Sequence, residues 1–115
     1  MARSRPAPAP MRTIEILYFD GCPGWREALE RVHEAITQEG LGDVVAVRLL
    51  AVQTDEQAIE ERFLGSPSVR LDGHDIEPDA DERNRFGLQC RVYDRDGRLE
   101  RAPSTELIRA SLVKP

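Results

Sequence analysis

Aromatic side chains are scarce, with three Phe, two Tyr and one Trp in 115 residues, so the core has to be built from Leu, Ile, Val and Ala. Cysteine is scarcer, with two in the chain, and that excludes a disulfide-dense scaffold. No apolar run approaches the roughly 20 residues of a membrane-spanning helix. An excess of positive charge is also missing. The net charge of −5 and the pI near 5.1 argue against a nucleic-acid partner and against an anionic membrane surface. The first ten residues carry arginines with no hydrophobic segment behind them, so they do not read as a secretory signal. A cytoplasmic chain is expected, in which the two cysteines rest as thiols unless a catalytic cycle oxidises them.

What is present is organised around residues 14–36. Ile14 to Phe19 is a β-branched and aromatic run that reads as a strand. Asp20-Gly21-Cys22-Pro23-Gly24-Trp25 follows as a sharp turn, and then an amphipathic helix whose apolar stripe is Trp25, Ala28, Leu29, Val32, Ala35 and Ile36. Gly40 stands where a left-handed C-terminal cap is expected. Before this unit, residues 1–12 are rich in Pro, Ala and Arg and predict an extended arm; residues 13–115 predict one domain.

After it, Val44 to Val52 is almost continuously apolar apart from Arg48, as in a strand buried on both faces between parallel neighbours. Thr54-Asp55-Glu56-Gln57 matches a capping box opening a short helix, with Ala58, Ile59 and Phe63 on its buried side. Ser66-Pro67 leads into a strand, Ser68 to Leu71, closed by the turn pair Asp72-Gly73. His74 to Gly87 reads as a polar, acidic loop. Leu88 to Tyr93 alternates as a strand, with a second hairpin turn at Asp94 to Gly97. Pro103 suits the first turn of a last helix, in which Leu107, Ile108, Ser111 and Leu112 share a face. The expected class is α/β, in the order β-α-β-α-β-β-α, with a mixed central sheet and helices on both faces.

That order resembles the thioredoxin fold. The resemblance is carried by Phe19-Asp20-Gly21-Cys22-Pro23-Gly24-Trp25, where a cysteine ends the first strand and begins the first helix, by Ser66-Pro67 before the third strand, and by the terminal strands and helix. Tyr18 to Pro23, Phe63 to Arg70 and Gly87 to Tyr93 further resemble a small bacterial thioredoxin-like group. Some of its members carry selenocysteine at the position of Cys22, and similar chains are sometimes labelled alkylmercury lyase. The resemblance implies a cis-proline at Pro67 and a redox-active Cys22. One departure matters: Trp25 stands where thioredoxins keep their second cysteine, so no disulfide can form inside the turn.

Cys22 is the leading candidate for chemistry. A thiol at a helix start is expected to be exposed and ionised, because unpaired N–H groups and the helix dipole favour the thiolate. Arg26 would help and Asp20 would oppose. Cys90 has three readings: a thiol resolving Cys22, a second soft ligand, or plain core on a face shared with Leu88 and Val92. Pro23, Gly24, Trp25, Ser66 and Pro67 are the expected docking residues. Gly24 would admit a close approach, and the backbone at Ser66-Pro67 would bind an extended substrate.

Two further clusters carry less. His33, His74 and the cysteines match no zinc spacing. Asp75, Glu77, Asp79 and Asp81 lack the glycine and closing glutamate of a calcium loop and read as a solvated acidic run. No metal or other cofactor is expected, and no oligomeric state is specified.

The leading functional expectation is a thiol oxidoreductase. Cys22 would attack a disulfide or oxidised-thiol substrate, and Cys90 or an external low-molecular-weight thiol would resolve the adduct. The alternative is a soft-metal protein holding mercury, copper or zinc between thiolates, or an organomercurial lyase with Asp20 or another acid as the proton donor. A third reading is a redox-inert adaptor.

Overall fold

The structure, a computed structural model, describes residues 12–113. The expected arm over residues 1–12 lies outside this range except for Arg12, which already belongs to the first strand. The elements are β1 (Arg12–Tyr18), α1 (Gly24–Gln38), β2 (Val45–Ala51), α2 (Asp55–Glu60), β3 (Ser68–Leu71), β4 (His74–Asp75), β5 (Tyr93–Arg95), β6 (Arg98–Glu100) and α3 (Thr105–Val113), with a 3-10 turn at Ala80–Glu82.

The central sheet is mixed, in the order β2-β1-β3-β4, and β5 and β6 form a separate hairpin. β1 runs parallel to β2 and antiparallel to β3; Ile16 faces Leu49 on one side and Val69 on the other. β4 is antiparallel to β3. Side chains alternate across β1, so Ile14 and Ile16 pack with α1 and α3, while Leu17 packs with Val52, Ala58 and Phe63 beneath α2. The sheet therefore carries helices on both faces, as expected.

Local signals account for most boundaries. α1 ends in a Schellman arrangement, with Gly40 at φ +68° and Leu41 N–H donating to the Ile36 carbonyl at 3.0 Å. α2 ends in the same way with Arg62 at φ +53° and Phe63 N–H donating to Ala58 at 2.8 Å. Thr54 caps α2 by accepting from Gln57 N–H at 3.0 Å. The Gln57 side chain accepts from Gln53 N–H rather than from the cap residue, so half of the capping box is displaced by one position. Asp72-Gly73 and Asp96-Gly97 have φ near +52° and +86° in both cases, the mark of type I′ hairpins. Ser104 caps α3, which places Pro103 just before the helix rather than in its first turn.

Asp72 also fastens the start of β1, accepting from Thr13 N–H at 2.9 Å and from Arg12 Nε at 3.0 Å. The Thr13 N–H first, and then Arg12, hold its carboxyl below the ordinary value of 3.8. A depressed folded-state value means that this tie is complete above the ordinary value and is lost as the pH falls through the lowered one. Asp72→Asn is expected to flatten the acid limb of a stability–pH profile, measured by urea unfolding at each pH.

Three expectations are corrected. β2 is an edge strand, not a strand buried on both faces: Arg48 is exposed and Leu49 is 47% exposed. Ile59 is exposed rather than buried under α2. Residues 88–92 are not a strand of the sheet; they pair at an isolated bridge, Cys90 with Ser66, in the segment before β3. The reason is that Ile76 N–H already donates to the Val69 carbonyl at 3.1 Å, and β4 continues along the same edge of β3. The hairpin turn expected at Asp94 to Gly97 is present, joining β5 to β6.

Candidate functional site

Cys22 lies in the turn between β1 and α1. Its N–H donates to the Phe19 carbonyl at 3.0 Å, Pro23 occupies the N-cap of α1, and Gly24 is the first helical residue. Pro23 offers no side-chain acceptor, so no cap side chain competes for the first-turn amides. The thiol is thus beside a helix start, as expected. It is not exposed, however. Cys22 is 3% exposed and is joined to Cys90 in a disulfide, with Cα atoms 5.5 Å apart. The expected exposed thiolate is replaced by a buried, bridged sulfur.

Cys90 is the exposed member of the pair. It does not share an inward face with Leu88 and Val92. The phase is the opposite one: Arg91 and Tyr93 turn inward, 4% and 2% exposed, while Val92 is 55% exposed. Burying Arg91 is possible because two carboxylates face its charge, and only its Nε is left without a hydrogen-bond partner. Its guanidinium donates to both oxygens of Asp75 at 2.6 and 3.0 Å, to Glu77 at 2.7 Å and to Ser68 Oγ at 3.0 Å. Asp75 and Glu77 are therefore counter-ions of a buried cation, not members of a solvated acidic run. Burial works against the Arg91 charge, but the hydrogen bonds to Asp75 and the surrounding negative charge outweigh it and hold the guanidinium above its ordinary value. The Arg91 guanidinium also lies 4.6 Å from the Tyr93 ring centroid. The Tyr93 hydroxyl donates to the Pro67 carbonyl at 2.7 Å, and burial pushes its phenol above the usual range.

The other flank of Cys90 is held as well. Gln89 Nε2 donates to the carbonyls of Leu64 and Arg85 at 3.1 and 2.6 Å. The Ser66 N–H donates to the Gln89 carbonyl at 2.8 Å, and Arg91 N–H donates to the Ser66 carbonyl at 3.0 Å. Gly65, at φ +127°, makes this approach possible, since a Cβ there would lie 3.0 Å from Arg91 Cβ and 3.1 Å from the Gln89 carbonyl oxygen.

Those bonds alter the expected docking role of Ser66-Pro67. The peptide bond is cis, as the resemblance implied. Both residues are buried, and the backbone N–H and C=O of Ser66 are taken by this chain's own 89–91 segment. The Ser66 hydroxyl is buried without a hydrogen-bond partner. Gly24 is likewise occupied from within: a Cβ there would meet the Arg101 carbonyl oxygen well inside van der Waals distance. Gly24→Ala is expected to cost about 1–3 kcal/mol by overpacking against rigid backbone, read as a lowered urea midpoint. Trp25 is half-buried, with its ring 4.7 Å from that of Tyr18 and with Arg26 5.0 Å from its centroid.

The two cysteines thus converge from opposite ends of the expected list, and Ser66 and Pro67 join them through the bridge to Cys90. Gly24 serves the packing of α1 against the segment before α3. Gln89, Arg91, Asp75 and Glu77 were not anticipated. The available signal was a charged residue next to a cysteine, followed by an aromatic residue, within otherwise strand-like alternation. Among the described residues, no group of three or more His, Cys, Asp or Glu side chains is placed to hold a metal ion, and no helix is long and apolar enough to cross a membrane. No family model matches the chain, and comparison with curated proteins and with solved structures finds no similar chain.

Proposed function

We propose that this chain is a thiol–disulfide oxidoreductase of thioredoxin-like type whose redox couple is Cys22 and Cys90. The observation that carries the reading is the pairing itself. A sulfur beside a helix start is bridged across 68 residues to one on an exposed segment, and that segment is held in place by bonds independent of the bridge. The parallel β1–β2 pair with antiparallel β3 and β4 supports the thioredoxin-like part. A couple of this kind works when both states keep the sulfurs within reach, so that the bond reforms quickly after each opening.

The test is turnover of a small mixed disulfide with glutathione as reductant. Wild type is expected to accelerate exchange over the uncatalysed thiol reaction by about 100-fold or more, with the gain lost in both Cys22→Ser and Cys90→Ser. A bond that stays closed in millimolar dithiol while the protein remains folded would defeat the proposal.

That second outcome belongs to a purely structural disulfide in a redox-inert domain, a reading favoured by the burial of Cys22. Soft-metal binding requires the reduced pair, because disulfide sulfurs offer no thiolate.

A further inference from the structure

We infer that exchange at this site enters and leaves through Cys90, with Cys22 as the inner, departing sulfur, and that its partners are low-molecular-weight thiols and disulfides rather than docked peptides. The inference rests on the thiol–disulfide reading above and reverses the roles expected from the sequence.

The first argument is access. A thiolate attacks a disulfide from behind one sulfur, with the other sulfur leaving, so the reachable sulfur decides the direction. Cys22 is 3% exposed, and the helix that follows it is pressed against Arg101. Cys90 lies on an exposed segment beside Val92, which is 55% exposed. The second is the leaving group. The departing sulfur carries the electron pair, and Cys22 departs beside the first turn of the 15-residue helix α1, where the free amides and dipole stabilise an anion. Cys90 is carried by the segment before β5 and is not itself followed by a helix. The third concerns the partner. An extended peptide would need free backbone groups at Ser66, and the 89–91 segment already uses both of them. A small thiol needs only the sulfur.

In the reducing direction, a thiolate RS⁻ bonds to Cys90 Sγ as the Sγ–Sγ bond breaks and Cys22 leaves as a thiolate. A second RS⁻ then attacks the R sulfur of the mixed disulfide, giving RSSR and the Cys90 thiolate. Two electrons have passed from two external thiols to the protein pair. In the oxidising direction, Cys90 thiolate attacks RSSR and releases RS⁻. Cys22 thiolate then attacks Cys90 Sγ, expels the second RS⁻ and closes the bridge.

The test uses the oxidised wild-type protein. It is mixed with glutathione, quenched in acid during the first turnover, alkylated and mapped by mass spectrometry. Glutathione is expected on Cys90, with the alkyl label on Cys22, in about tenfold or greater excess over the reverse. Adducts on Cys22 in equal or larger amount would overturn the polarity while leaving thiol exchange intact. No adduct on either residue, with the bond closed in folded protein, would remove the parent reading and this one with it. In a second arm, glutathione disulfide and an extended peptide disulfide are compared as oxidants of the reduced protein. The small disulfide is expected to react at least as fast. A rate about tenfold higher for the peptide would overturn the assignment of partner.

Discussion

Reducing the Cys22–Cys90 bond lowers the unfolding free energy by about 4 kcal/mol, the loop-closure entropy that a tie across 68 residues removes from the unfolded chain. The loss is expected to appear as a fall in Tm of more than about 10 °C for a domain of this size. Most of the effect lies in the unfolded state, because the folded state keeps Cys90 in place through Ser66, Gln89 and Arg91 without help from the sulfur. Two readouts follow from that placement. The reduced protein should keep its native far- and near-ultraviolet circular dichroism. Its urea m-value should rise, since an uncrosslinked unfolded chain exposes more surface. Cys90→Ser should reproduce the reduced wild type within about 1 kcal/mol and be insensitive to dithiol, because residue 90 is exposed. A drop under about 1 kcal/mol would mean that the unfolded chain is already compact in this region. Natural domains carry about 5–15 kcal/mol of stability in total, so the reduced form remains folded with a reduced margin. That condition is what a cycling couple requires.

The parts of this architecture that were legible in the sequence are those set by neighbours along the chain. The alternation of Ile14 and Ile16 against Leu17, the α1 stripe, Gly40, Thr54 and the two Asp-Gly turns each encode their own conformation within a few residues. Cys22 beside a helix start was legible for the same reason. What was not legible depends on which strand lies beside which. β2 has the apolar run of a central strand yet sits at the edge, because among the described residues no strand pairs with its outer side. Burial of Cys22 depends on Cys90, which is 68 positions away. The inverted phase of Cys90 and Arg91 depends on Asp75 and Glu77. Hydropathy puts Val92 inside and Arg91 outside, and the ion pairs reverse both. Spacing along a chain has no way to report a partner that comes from another loop.

Arg91→Ala is expected to cost about 3–5 kcal/mol, the penalty for leaving buried carboxylates without their cation. Asp75 and Glu77 have side chains only 9% and 15% exposed, so water cannot readily replace the guanidinium. Lost packing against Tyr93 adds to the effect, and Arg91→Met separates the two contributions by restoring volume without charge. If the electrostatic part dominates, Arg91→Met alone remains severely destabilised, while Arg91→Met combined with Asp75→Asn and Glu77→Gln recovers a large share. The coupling across that set should exceed about 1 kcal/mol in a mutant cycle followed by urea unfolding. A purely structural anchor would stop there. Arg91 also sits one residue from Cys90, and if its ion pairs hold that segment in place under the proposed exchange, its loss should make the bond easier to reduce. Each tenfold loss of effective concentration raises the reduction potential by about 30 mV. The measurement is equilibrium with glutathione buffers at a denaturant-free temperature where both variants are folded. An unchanged potential in folded Arg91→Met would confine Arg91 to stability. A rise would identify the buried ion pair as the device that holds the outer sulfur in position against the inner one.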